Sequence, residues 1–214
     1  VTRPGRIRFL SWTAPFYDPT VSAFGFSRLW KRLAERTLPE AGVRCLDVCT
    51  GTGGAALALA GRGASVVGLD LAEGMLRRAR RKARAAGLAE RAHWVRMDAR
   101  RLALPDRSFE HVTCAMVFHE MDDEEREQVI REMHRVASDR VLIADYRVPP
   151  SGWSRPLFHF MRVFEYLESD DFDSYRTDDL PARLEKAGLD LEETWDVGPY
   201  RIWPCRVQTQ HKHC

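Results

Sequence analysis

Between residues 44 and 146 apolar runs of strand length alternate with helical patterns, and no other feature constrains the fold as tightly. The strand-like runs lie at 44–48, 65–69, 92–96, 111–117 and 141–146, with helical patterns at 54–62, 74–86 and 124–137. Strands separated by helices at this spacing pair through right-handed crossovers, which predicts an α/β protein whose parallel sheet is covered on both faces. The acids of "DDEE" at 122–125 fall in the first turn of their helix, where the positive dipole end favours them. Ahead of this core, "FSRLWKRLAERT" predicts an amphipathic helix over 26–37. Behind it, "PPSGWSRP" breaks the pattern. A helix around 157–168 is expected next, then one from 177 or 178 to 187 ended by Gly188, then one or two strands. There is no internal repeat and no long linker, so one domain with terminal additions is expected.

Composition narrows the partners. A chain of 214 residues suits one sizeable core, and 44% hydrophobic with 30% charged residues is ordinary for a soluble domain. A net charge of +2 gives no general reason to expect nucleic acid or an anionic membrane. No apolar run approaches the roughly 20 residues that span a bilayer, and the basic start lacks a signal-peptide core, so a cytoplasmic protein is expected. The run "MLRRARRKARAAGLAER" reads as a solvated outer helix face, because its cations surround the helix. Cys45, Cys49 and Cys114 sit in or beside apolar runs, as buried free thiols do. Cys205, His211, His213 and Cys214 crowd the tail without the tight paired spacing of zinc sites, and no metal is expected.

The chemistry begins at "CLDVCTGTGGAALALA", residues 45–60. A strand reaches Asp47, turns through Gly51, Gly53 and Gly54, and enters a helix whose first N–H groups have no intrahelical partner. Gly51, Gly53 and Ala56 satisfy the G-x-G-x-x-G/A pattern that seats a dinucleotide pyrophosphate. The same turn suits S-adenosylmethionine, which has no phosphate, with Asp47 as partner of the ligand's ammonium. Asp70 in "VVGLDLAEGML" ends the second strand about 20 residues later, where a carboxylate accepts ribose hydroxyls of either cofactor. As a plain structural group it would cap the next helix. Asp98 in "HWVRMDARRLALPDRSFEHV" ends the third strand, where it can accept from the exocyclic amine of adenine with Ala99 beside the ring. Dehydrogenases have no general need of an acid there, so Asp98 favours S-adenosylmethionine.

Four ordered segments, "LDVCTGTGG", "VVGLDLAEGML", "RMDARRLALPDRSFEHVTC" and "REMHRVASDRVLIADY", resemble the class I S-adenosylmethionine-dependent methyltransferases. The resemblance is nearest to the ubiquinone/menaquinone C-methyltransferase (UbiE-like) branch, and "YDPTVSAFGFSRLWKR" is similar to that branch's N-terminal segment. It implies a Rossmann-like fold, with a mostly parallel seven-stranded sheet and helices on both faces. It further implies a helical cap at 1–40, a cofactor-binding core at 41–147 and an acceptor-side region at 148–214. Asp47, Cys49, Gly51 and Gly53 would hold the amino-acid end of S-adenosylmethionine, with Tyr17 closing over it. Asp70 would bind the ribose and Asp98 the adenine, with Leu71, Met75, Ala99 and Ala115 lining the site. The expected product is S-adenosylhomocysteine. The expected partner is a small-molecule acceptor of aromatic, quinone-like or lipid-like character, with no nucleic acid; a homodimer remains open.

One departure bears on the acceptor. After the fourth strand, quinone methyltransferases usually carry an Arg-Asn pair where this chain has His119-Glu120. Arginine is a fixed cation, whereas histidine exchanges protons near neutral pH. His119 is therefore the first candidate for a catalytic base, with Glu120 as its orienting partner or alternative. Tyr146, Tyr166 and Tyr175 could line the acceptor pocket, and Trp153, Phe158, Phe160 and Phe164 suggest an apolar lid. Packing explains these aromatics equally well. Two rival readings are a scaffolding protein that retains the fold without catalysis and a nicotinamide-dependent dehydrogenase.

Overall fold

A computed structural model describes residues 25–37, 41–147 and 172–208. Tyr17, Trp153, Phe158, Phe160, Phe164, Tyr166, His211, His213, Cys214 and the helix expected at 157–168 lie outside the described residues. In chain order the elements are α1 (Phe26–Thr37), β1 (Arg44–Val48), α2 (Gly54–Ala60), β2 (Ser65–Asp70), α3 (Glu73–Ala85), β3 (Ala92–Arg96) and β4 (Phe109–Ala115). A 3₁₀ turn (Phe118–Glu120) follows, then α4 (Asp123–Val136), β5 (Ala137–Tyr146), α5 (Phe172–Thr177), α6 (Leu180–Lys186), β6 (Leu189–Leu191), β7 (Trp195–Val197) and β8 (Tyr200–Val207).

Seven strands form one path in the order β3-β2-β1-β4-β5-β8-β6, and the short β7 pairs with β8 beside it. The first five strands are mutually parallel, with helices joining β1 to β2, β2 to β3 and β4 to β5 and a helix-free crossover at 97–108 between β3 and β4. β8 enters antiparallel to β5, matching Arg140 with Arg206 at one end and Tyr146 with Tyr200 at the other. The central strands carry the apolar load: Leu46, Val112 and Leu142 are fully buried, and each such side chain contributes about 1.5–3 kcal/mol. Cys45, Cys114 and Cys205 are buried with them as free thiols, and burial pushes Cys45 and Cys205 up to about 12. Asp122 caps α4 by accepting from the Glu125 N–H at 2.8 Å, so the acids of "DDEE" do sit at a helix start.

Three expectations about boundaries are corrected. The fourth strand runs Phe109–Ala115 and not 111–117, because Met116 turns into the left-handed region (φ 59). The last expected helix, α6, begins two to three residues later than expected, at Leu180, capped by Asp179, which accepts from the Ala182 N–H, and a separate short helix, α5, precedes it. The described residues close with three strands rather than one or two. Asp70 caps no helix directly, since the residue preceding α3 is Ala72.

Candidate active site

The strand order changes direction between β1 and β4, and in open α/β sheets ligands gather at the carboxyl ends of strands flanking such a point. β1 delivers Asp47 to that edge, and the chain then turns through three left-handed residues, Cys49 (φ 55), Gly51 (φ 54) and Gly53 (φ 80). Two of the three are glycine, which adopts this region without a Cβ clash, and Cys49 bears modest strain. Gly53 is also forced by packing: a Cβ there would stand 2.5 Å from the Trp94 ring. Gly54 likewise admits Trp30 of α1, whose indole nitrogen would lie 2.4 Å from an added Cβ. At Gly51, by contrast, an added Cβ would meet nothing within 4 Å, so the turn faces open space on that side.

Asp47 is buried beneath the turn. Its Oδ2 accepts from the Thr50 hydroxyl at 2.6 Å and its Oδ1 from the Thr113 hydroxyl at 2.7 Å. Burial pushes its carboxyl up to about 6, against the opposing pull of those hydroxyls. Asp70, at the end of β2, clamps two loops. One carboxylate oxygen accepts from the Gly51 N–H at 2.9 Å and the other from the Ala72 N–H at 2.8 Å. Burial raises its carboxyl while those N–H groups, with that of Leu71, oppose the rise. Met75 and Ala99 are buried, while Cys49, Leu71 and Ala115 are half-buried around the turn. Asp98 stands apart in chemistry. Arg100 grips its carboxylate through Nη2 at 2.7 Å and Nε at 3.1 Å, which holds it below the usual carboxylate range. The same guanidinium lies 3.6 Å from Glu125.

On the other side of β1, the ends of β4 and β5 bring His119 and Asp145 together. His119 Nδ1 is 2.7 Å from Asp145 Oδ1, and the His119 backbone N–H donates to Oδ2 at 3.2 Å. Both groups are buried, at 3% and 0% side-chain exposure, whereas Glu120 keeps 13%, its Oε1 3.9 Å from His119 Nε2. The imidazole packs against Tyr146 at 4.8 Å and Tyr175 at 6.3 Å between ring centroids. Tyr175 in turn donates to the Tyr146 carbonyl at 2.8 Å. Beneath the turn carrying His119 lies a fully buried guanidinium, Arg126, which donates from Nε to the Phe118 carbonyl at 3.0 Å and from Nη2 to the Ser174 hydroxyl at 2.7 Å. It ties the 3₁₀ turn to α5.

Asp145, Arg126, Thr113 and Arg100 escaped the sequence reading. Asp145 had a usable signal, an acid closing the apolar run "VLIADY", the same signature that marked Asp47 and Asp70.

Comparison with known proteins places the chain in a family. Residues 45–140 match the methyltransferase-domain family. A demethylmenaquinone methyltransferase of Thermus thermophilus is 38% identical over 184 residues, covering 80% of this chain and 81% of that protein. The chain belongs to the UbiE-like class I S-adenosylmethionine-dependent methyltransferases. A ubiquinone/menaquinone biosynthesis C-methyltransferase of Escherichia fergusonii is 30% identical, covering 82% of this methyltransferase and 78% of its own length. Among solved structures, magnesium protoporphyrin IX methyltransferase of Synechocystis aligns at TM-score 0.67 with 17% identity, covering 86% of this chain and 84% of that one. The [4+2]-cyclase SpnF aligns at the same TM-score of 0.67 with 20% identity, covering 85% and 81%. A cyclase on the same scaffold means that the fold alone does not name the reaction. Among the described residues, no helix is long and apolar enough to cross a membrane, and no group of three His, Cys, Asp or Glu is arranged to hold a metal.

Proposed function

We propose that this methyltransferase binds S-adenosylmethionine at the Gly51 turn and methylates a ring carbon of a small quinol. The observation that carries the cofactor reading is the Asp70 clamp on Gly51, beside space that a side chain at residue 51 would fill. The donor set suits the ligand: a carboxylate for the ribose at Asp70, a second for the ammonium at Asp47, and small or apolar groups at Cys49, Leu71, Met75, Ala99 and Ala115 for the rest. Asp98 would serve adenine once Arg100 yields it, and Glu125 offers that guanidinium an alternative partner.

When bound, the cofactor supplies an electrophilic methyl on a sulfonium. The chain's own residues supply alignment, exclusion of water and a destination for a proton. An oxidised quinone ring is itself electrophilic, so the acceptor must be the reduced, electron-rich quinol. The two relatives named above for quinone methylation support that class of acceptor. The buried aromatic surround of His119, formed by Tyr146 and Tyr175, suits a flat ring. His119 takes the proton that the acceptor must lose, and Glu120, the more open neighbour, lies on the path to solvent.

Calorimetry tests the cofactor half of this reading. Asp70→Ala leaves the Gly51 and Ala72 N–H groups without their partner and removes the ribose acceptor, so affinity for S-adenosylmethionine is expected to fall by about 100-fold or more. Unchanged affinity refutes the assignment. The acceptor half is tested by incubation with reduced demethylmenaquinone and detection of S-adenosylhomocysteine together with a product heavier by one methylene unit. Intact cofactor binding without that product removes the quinol from the reading.

A further inference from the structure

We propose that Asp145 is a positioning residue for His119, holding the imidazole in the tautomer with its hydrogen on Nδ1 so that Nε2 receives the acceptor's proton. The proposal rests on the reading of His119 as the base. The geometry leaves little choice of tautomer. The Asp145 carboxylate already accepts two backbone N–H groups, from His119 at Oδ2 (3.2 Å) and from Tyr146 at Oδ1 (2.7 Å). A carboxylate that already takes those two donors is an acceptor toward the ring as well. At 2.7 Å from Oδ1, His119 Nδ1 must then be the donor, since two lone pairs at that distance would repel. Nε2 is left as the basic nitrogen, on the side of the ring where Glu120 lies.

The surroundings hold this alignment. The ring is packed by Tyr146 and Tyr175, and Arg126 fixes the backbone of the turn through the Phe118 carbonyl. For each methyl gained, the acceptor loses one proton, which passes to Nε2. The imidazolium so formed faces the Asp145 carboxylate and returns its proton to solvent past Glu120. Glu120 is thus not the orienting group; the orienting carboxylate comes from β5.

The test begins with the wild-type protein, labelled with ¹⁵N-histidine at pH 8. The His119 ring signals, identified by their loss in His119→Gln, should show hydrogen on Nδ1. In Asp145→Asn the amide can donate to the ring, and the pattern should move toward hydrogen on Nε2. A wild-type spectrum with hydrogen on Nε2, or one that Asp145→Asn leaves unchanged, overturns the proposal, and the first of these does not depend on the folding of Asp145→Asn. In turnover of reduced demethylmenaquinone, Asp145→Asn should lower kcat by about 10²–10³-fold with the acceptor KM nearly unchanged. Added to His119→Ala, it should cost less than about 3-fold more, because residues acting as a unit are not additive. A full further loss in that background marks Asp145 as merely structural and overturns the role. Hydrogen on Nδ1 in a protein that methylates no quinol supports the positioning role and removes the acceptor reading alone.

Discussion

Under the proposed function, Asp47 meets two opposed requirements. As a buried carboxylate it costs stability when ionised; as a partner for an ammonium it must be ionised. Its carboxyl is raised to about 6 in the folded protein from an ordinary value near 3.8. A raised acid stabilises the fold fully below the unfolded value and loses that contribution as pH climbs through the folded one. Stability is therefore expected to decline by about 2–3 kcal/mol between roughly pH 4 and pH 6 on account of this group. Asn in its place can accept from one hydroxyl and donate to the other. Asp47→Asn should abolish that segment of the pH profile and raise the urea midpoint at pH 8, while weakening S-adenosylmethionine binding; urea titrations at both pH values and calorimetry check it. At this scale the sequence was partly legible. Asp47 and Asp70 stood out because each ends an apolar strand beside glycines. Asp145 ends one too, but no glycine turn follows it to draw notice. Arg126 was hidden for another reason: on an amphipathic helix an arginine reads as solvent-facing, and only α5 packing over it makes it buried.

The glycine turn shows how elements meet as well as how they bind. Gly53 and Gly51 have similar backbone angles but different neighbours. Gly53→Ala drives a methyl into the Trp94 ring and adds left-handed strain, and is expected to cost about 2–4 kcal/mol in urea unfolding. Gly51→Ala meets open space and should cost only about 1–2 kcal/mol from strain, yet it should hinder cofactor binding more than it hinders folding. A reversed order of stabilities would contradict the packing described. Helix and strand positions in the core were readable because their periodicities differ. Their ends were less so. Nothing in the apolar continuity of "EHVTCAMVFHEM" announces a stop; β4 ends because Met116 takes a left-handed angle, and the residues beyond it form the short turn that presents His119.

For the whole molecule, strand–helix alternation fixed the parallel half in advance, whereas the last third followed no such rule. Its strands are short, and β8 does not add at the sheet's margin in chain order but inserts between β5 and β6. A shortened chain ending at Gly198 lacks β8 and exposes the flank of β5, whose residues 141–146 are all buried in the complete fold. Such a chain should partition mainly into the pellet on expression, while the full chain stays in the supernatant; equal recovery would contradict the insertion. The strand that carries Asp145 thus waits for nearly the last residues described. During synthesis the emerging polypeptide must keep an apolar edge unpaired until residues 200–207 clear the ribosome, so a stalled or clipped nascent chain would be sticky as well as inactive. Completion of the sheet and completion of the His119 side of the site become a single event in the life of the chain.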